Sequence, residues 1–112
     1  MKIFVQGLWH CGCVVSSCLS SLKHNVVAYD DNKKIISNLK KNITPIFEPK
    51  LKDLIKKSIK DGKLSFANNL EKLNTSNIIW FTYDTPVNEY DQADTKYVLD
   101  RIKNTLKKLN SN

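Results

Sequence analysis

The sequence predicts an α/β fold built on a doubly wound parallel sheet, and three observations carry that expectation. A short apolar run, Lys2-Ile-Phe-Val-Gln6, meets Gly7 and then opens into a helical pattern. A second apolar run, Asn25 to Tyr29, closes on the carboxylate of Asp30. Beyond it, short apolar strands keep alternating with amphipathic helical segments, the order that a parallel sheet requires. The opening turn, Gly7-Leu-Trp9-His10-Cys11-Gly12, reads as the dinucleotide pattern G-x-G-x-x-G with its middle glycine replaced. The expected architecture is therefore Rossmann-like and incomplete, with about four strands.

Each element has its own signal. Lys2 to Gln6 is short and apolar, as a buried parallel strand should be. A helix from about Cys11 to Leu22 is predicted to turn Val14, Val15, Cys18, Leu19 and Leu22 inward, with Ser16, Ser17, Ser20 and Ser21 mostly elsewhere. Asn25 to Tyr29 is the second strand. Asp31 or Asn32 can cap a helix to about Lys41 with Ile35, Ile36 and Leu39 inward. Pro45 breaks the chain, and Glu48-Pro49 starts a further helix that buries Leu51, Leu54, Ile55 and Ile59 before Asp61-Gly62 ends it. Leu64 to Phe66 is a third strand and Asn77 to Thr82 a fourth. Asp94 caps a last helix striped by Val98, Leu99, Ile102, Leu106 and Leu109. With nothing beside the fourth strand, Ile78, Ile79, Trp80 and Phe81 form an open edge where a partner or second copy could pair. A chain of 112 residues can still bury roughly two-thirds of its unfolded surface, enough for one core.

The candidate site residues follow from the opening turn. Gly7 allows a tight turn off the first strand, and Gly12 lets the next helix approach the sheet. The helix N-terminus offers unpaired N–H groups to a pyrophosphate. Asp30 stands where a carboxylate accepts hydrogen bonds from a ribose diol. Trp9 occupies the position that usually lacks a side chain. Its indole either turns outward and leaves the N–H cradle usable or lies over the phosphate path; with Asp30 in place, a retained site is expected. Taken alone, two glycines and an acid also fit an ordinary strand-turn-helix.

Composition excludes several classes. The net charge is +7 and the pI near 9.4, which raises the question of a small basic nucleic-acid-binding protein. Yet all 18 basic residues but Arg101 are lysine, spread over helix faces away from the apolar stripes. Arginine is the residue of base readers and phosphate clamps, so a solvated surface is the better reading. His10, Cys11, Cys13, Cys18 and His24 lack the paired C-x-x-C spacing of a zinc site, and no metal is expected. Three cysteines, no signal peptide and no membrane span point to the reducing cytoplasm.

Further motifs resemble the N-terminal, NAD-binding part of the UDP-glucose/GDP-mannose dehydrogenase family, over essentially the whole chain. Ile43-Thr-Pro45-Ile-Phe47-Glu48-Pro49-Lys-Leu51 is similar to that family's I-S-P-I-Y-E-P-G-L segment. Gly62-Lys63-Leu64-Ser-Phe66 resembles its G-R-L-x-F strand entry, and Thr85-Pro86 its T-P turn. Asp91 through Leu99 resembles the D-G-S-A-D-L-S-Y-V stretch. The resemblance implies NAD as cofactor and oxidation of a UDP-sugar at C6, of the UDP-glucose to UDP-glucuronate type. It places Gly7, His10, Cys11 and Gly12 at the pyrophosphate turn, Asp30 at the ribose and Thr85 beside the cofactor. Trp9, Ile35, Asp84 and Lys50 depart from the family pattern, Lys50 where a glycine stands. The resemblance also implies that the catalytic and UDP-binding parts are absent from residues 1–112, so no catalytic residue is assigned and the chain is expected to be inactive alone. A non-catalytic remnant or assembly module is the alternative.

Overall fold

The computed structural model describes residues 1–85, 87–90 and 92–109. Four strands, β1 (Lys2–Gln6), β2 (Asn25–Tyr29), β3 (Leu64–Ala67) and β4 (Ile78–Phe81), form one parallel sheet in the order β3-β2-β1-β4. The register runs Ile3 to Val26, Ile3 to Ile78 and Val26 to Leu64. Helices α1 (His10–Ser21), α2 (Lys33–Lys40) and α3 (Leu51–Lys60) precede β2 and β3, and α4 (Thr95–Lys108) follows β4. A 3-10 turn at Glu71–Thr75, which periodicity did not signal, leads into β4.

The switch in strand order divides the core. Alternate residues of β1 point to opposite faces. Ile3 and Val5 join Val26, Ala28, Leu64, Ile36, Leu39, Leu51 and Ile55 in one cluster beneath α1, α2 and α3. Phe4 and Gln6 point the other way, where Leu73 is buried and Gln6 reaches Thr105 of α4. Asn32 caps α2 by accepting from the Lys34 N–H, and Asp94 caps α4 by accepting from the Tyr97 N–H.

Helix α1 does not lie as its hydrophobic pattern predicts. Ser16, Ser17 and Ser20 face the interior with Gly12 and Cys13, while Cys18 and Leu22 are exposed. Close approach is the cause. A Cβ on Gly12 would collide with the Gly7 carbonyl oxygen, so the helix rides against the turn and only small side chains fit beneath it. Ser17 and Ser20 turn their hydroxyls to the Cys13 and Ser16 carbonyls, which removes the cost of burying them. Val14, Val15 and Leu19 pack on the flank of the core instead.

Two other helices differ in detail. Helix α3 begins at Leu51 rather than at Glu48-Pro49, because Lys50 takes a left-handed φ of 66° at its N-cap. Ile59 is exposed and Ser58 buried in its place. On α4 only Thr105 is fully buried, and Leu99 and Leu106 are half-exposed. Gln6 of β1 bonds Thr105 of that helix, and of its apolar stripe Val98 and Ile102 are half-buried. Ile78 and Trp80 are likewise exposed on β4, which pairs only with β1 among the described residues. Pro86 of the Thr85-Pro86 turn and Asp91 of the last motif lie outside the described residues.

Candidate functional site

The site forms where β1, β2 and β4 end, at the switch point of the sheet. Gly7 leaves β1 with a φ of 105°, and a Cβ there would stand 2.6 Å from the Tyr83 nitrogen. Only glycine tolerates both conditions. Its N–H donates to the Tyr29 carbonyl at 2.9 Å, and its carbonyl accepts from Thr82 Oγ1 at 2.6 Å. The turn is thereby tied to the strand on either side.

Helix α1 starts with no side-chain cap and no acidic residue in its first turn. Its first backbone bond runs from the Cys13 N–H to the Trp9 carbonyl at 3.1 Å. The N–H groups of His10, Cys11 and Gly12 precede that bond and meet the positive end of the helix dipole. Such an end suits a phosphate. His10 leans away, its Nε2 3.4 Å from Glu48 Oε2. Cys11 is exposed beside it, whereas Cys13 is buried and its thiol is pushed up to about 12, by burial first and the Asp30 charge second. Cys13 therefore stays a neutral packing group.

Asp30 closes the other side. Its Oδ2 accepts from the Leu8 N–H at 2.7 Å and its Oδ1 from the Asn32 N–H at 2.8 Å. Each oxygen keeps a further lone pair for an outside donor. A cavity of about 220 Å³ opens here, lined by Gly7, Leu8, Trp9, Asp30, Asn32 and Ile35 on one side and by Tyr83, Asp84 and Tyr97 on the other. The structure thus brings Gly7, Trp9 and Asp30 to one cavity, with His10, Cys11 and Gly12 at the helix start beside it. Thr85 is exposed and stands outside the lining.

Sequence reasoning missed the wall that β4 and α4 supply. Asp31 accepts from the hydroxyls of Tyr83 at 2.7 Å and Tyr29 at 3.1 Å, and lies 3.3 Å from Arg101 Nε. The Arg101 guanidinium lies 3.6 Å from the Tyr97 ring centroid. Gln6 Nε2 donates to the Tyr83 oxygen at 2.8 Å and to Thr105 Oγ1 at 2.7 Å. Burial, and after it the bond to Asp31, raises the Tyr83 phenol well above its ordinary value. The available signal was positional, since residues just past the fourth strand of a parallel sheet border the ligand crevice.

Comparison with known proteins agrees with this geometry. The family model described as the NAD binding domain of the UDP-glucose/GDP-mannose dehydrogenase family matches residues 1–112. The chain belongs to that family. It is 34% identical over 110 residues to a UDP-glucose 6-dehydrogenase of Bacillus subtilis, covering 97% of this chain and 24% of the relative. A UDP-glucose 6-dehydrogenase of Rickettsia felis is 34% identical over 111 residues, 98% of this chain and 25% of the relative. Among solved structures, a ternary complex of GDP-mannose dehydrogenase from Pseudomonas aeruginosa superposes with a TM-score of 0.84 at 26% identity, over 95% of this chain and 24% of that one. The UDP-D-ManNAc dehydrogenase of Pyrococcus horikoshii gives 0.84 at 29% identity, over 95% and 25%. The chain spans about a quarter of the length of the relatives it matches. It is a Rossmann-like NAD-binding domain.

Proposed function

We propose that this domain holds NAD across the turn between β1 and α1, as the cofactor portion of a nucleotide-sugar 6-dehydrogenase acting on a UDP-sugar of the UDP-glucose type. One observation carries the reading: the uncapped start of α1 follows directly on the turn, Gly7 to Trp9, that lines the Asp30 cavity. The residues present fit the group, since Gly7 and Gly12 let the turn and helix close on the sheet and α1 starts with no side-chain cap over its N–H groups. The N–H groups of His10, Cys11 and Gly12 would hold the pyrophosphate, and Asp30 the ribose diol. Thr85 would flank the cofactor. Bound NAD supplies a hydride acceptor. The UDP-sugar and the residues that oxidise it are assigned to the remainder of the enzyme, outside residues 1–112. The free edge of β4, with Ile78 and Trp80 exposed, supports pairing with a further strand there. Three free cysteines support a reducing cytoplasm as the working compartment.

Calorimetry of the chain with NAD, NADP and UDP-glucose, run separately, tests the reading. Binding of NAD is expected, with NADP weaker because Asp30 repels a 2′-phosphate. Asp30→Ala is expected to weaken NAD by about 1–3 kcal/mol and to narrow the gap between the two cofactors. Equal affinity of the unaltered chain for both would remove Asp30 from the ribose, and no NAD binding would overturn the reading itself.

A further inference from the structure

We propose, resting on the dinucleotide reading above, that the Trp9 indole is the stacking wall for the adenine nucleoside half of the cofactor. Trp9 has φ −84° and ψ −150°, extended backbone open to any residue, so nothing at this position requires glycine. Trp9 lines the Asp30 cavity and also a second hollow, lined further by Asn38, Ile43 and Pro45. Ile35 lines both. Trp9 and Ile35 therefore form a partition shared by the two hollows, and the first of these holds the carboxylate that would bind the ribose.

Four features make this partition a site for a planar base. Trp9 remains 43% exposed although it is the largest apolar side chain of the turn, so its surface is open to a ligand. The cavity is lined by Gly7, Leu8 and Trp9 but not by His10, Cys11 or Gly12, so it extends from the ribose position away from the helix N–H groups. Its volume, about 220 Å³, falls below the roughly 300–1,000 Å³ of pockets that enclose a whole drug-sized ligand, and suits part of a dinucleotide. Tyr97, held by Arg101 against one ring face, offers a second fixed aromatic from the other side of the sheet. Every base has a face that stacks on an aromatic ring. The replacement of the middle glycine is then a gain of contact surface, and Ile35 keeps the wall apolar behind it.

The test uses the 112-residue chain carrying Trp80→Phe, which leaves Trp9 as its single tryptophan; Trp80 lies on β4 outside the cavity. NAD and ADP-ribose are expected to quench Trp9 emission to saturation, and nicotinamide mononucleotide to leave it unchanged. In calorimetry, Trp9→Ala is expected to weaken NAD by about ten-fold, the usual scale of a lost base stack, while Trp9→Phe retains most of the affinity. A folded Trp9→Ala or Trp9→Gly chain that binds NAD as tightly as the unaltered one, or more tightly, overturns the inference and leaves the dinucleotide reading standing. Saturation with NAD without any change in Trp9 emission overturns it too, and requires no variant at position 9. Failure of the unaltered chain to bind NAD overturns both.

Discussion

Asp30 and Asp31 are sequence neighbours with separate duties, and the separation explains the chemistry of the crevice. Asp30 is held by two backbone N–H groups and looks into the cavity. Asp31 faces the tyrosines and Arg101, and ties the end of β2 to β4 and α4. Its charge and hydrogen bond act on Tyr29, whose phenol is pushed up to about 12, by burial first and Asp31 next. Tyr83 is raised further in the same direction. A phenol whose folded value lies above its unfolded 10.0 binds more protons folded than unfolded once the pH passes that value. Its contribution to stability is thus complete below about pH 10 and is lost as the pH rises through about 12. Urea unfolding between these limits is expected to show falling stability, and Tyr83→Phe, which cannot ionise, should show a shallower fall. An equal slope in the variant would mean that the Tyr83 phenol ionises alike in the folded and the unfolded chain.

At the scale of elements, helix starts carry the local energetics. Lys50 occupies the place of the glycine in the related E-P-G-L segment, yet it still adopts the left-handed φ of 66° that glycine would take freely. For an L side chain that conformation costs roughly 1–2 kcal/mol, while glycine gives back part of the gain through the freedom of the unfolded chain. Lys50→Gly is therefore expected to stabilise the domain by about 0.5–1 kcal/mol, read as a higher urea midpoint at unchanged slope. The elements themselves were legible because strand length and helical period survive in single sequences: β1, β2, α2 and α4 fall close to where pattern and capping residues put them. The orientation of α1 was not. Hydropathy ranks valine and leucine above serine, but Gly12 sets a helix-to-sheet distance at which serine is what fits. The polar wall of Tyr83, Asp31 and Arg101 escaped for a related reason, since its members are far apart in sequence and meet only once β4 crosses to the other side of β1.

For the whole molecule, the question is how much of an oxidoreductase these 112 residues contain, and the cysteines answer it. A cysteine that served as nucleophile toward a sugar would need an accessible thiolate at the reacting carbon. Cys13 is buried and stays protonated far above neutral pH. Cys18 is exposed, but it lies by Glu48, Pro49 and Leu54 in the groove between α1 and α3, away from the crevice. Cys11 is exposed at the start of α1, where the proposed pyrophosphate would sit against its backbone rather than present a sugar to its sulfur. None of the three lines the crevice beside Asp30. With NAD and UDP-glucose together, the chain is therefore expected to produce no NADH, measured by absorbance over hours at high protein concentration, even when calorimetry shows the cofactor bound. Cofactor binding should appear instead as stability, about 2.7 kcal/mol at a hundred-fold excess over the dissociation constant. NADH formation that disappears in Cys11→Ser would move the nucleophile into this domain, and would show that the crevice beside Asp30 performs chemistry as well as binding.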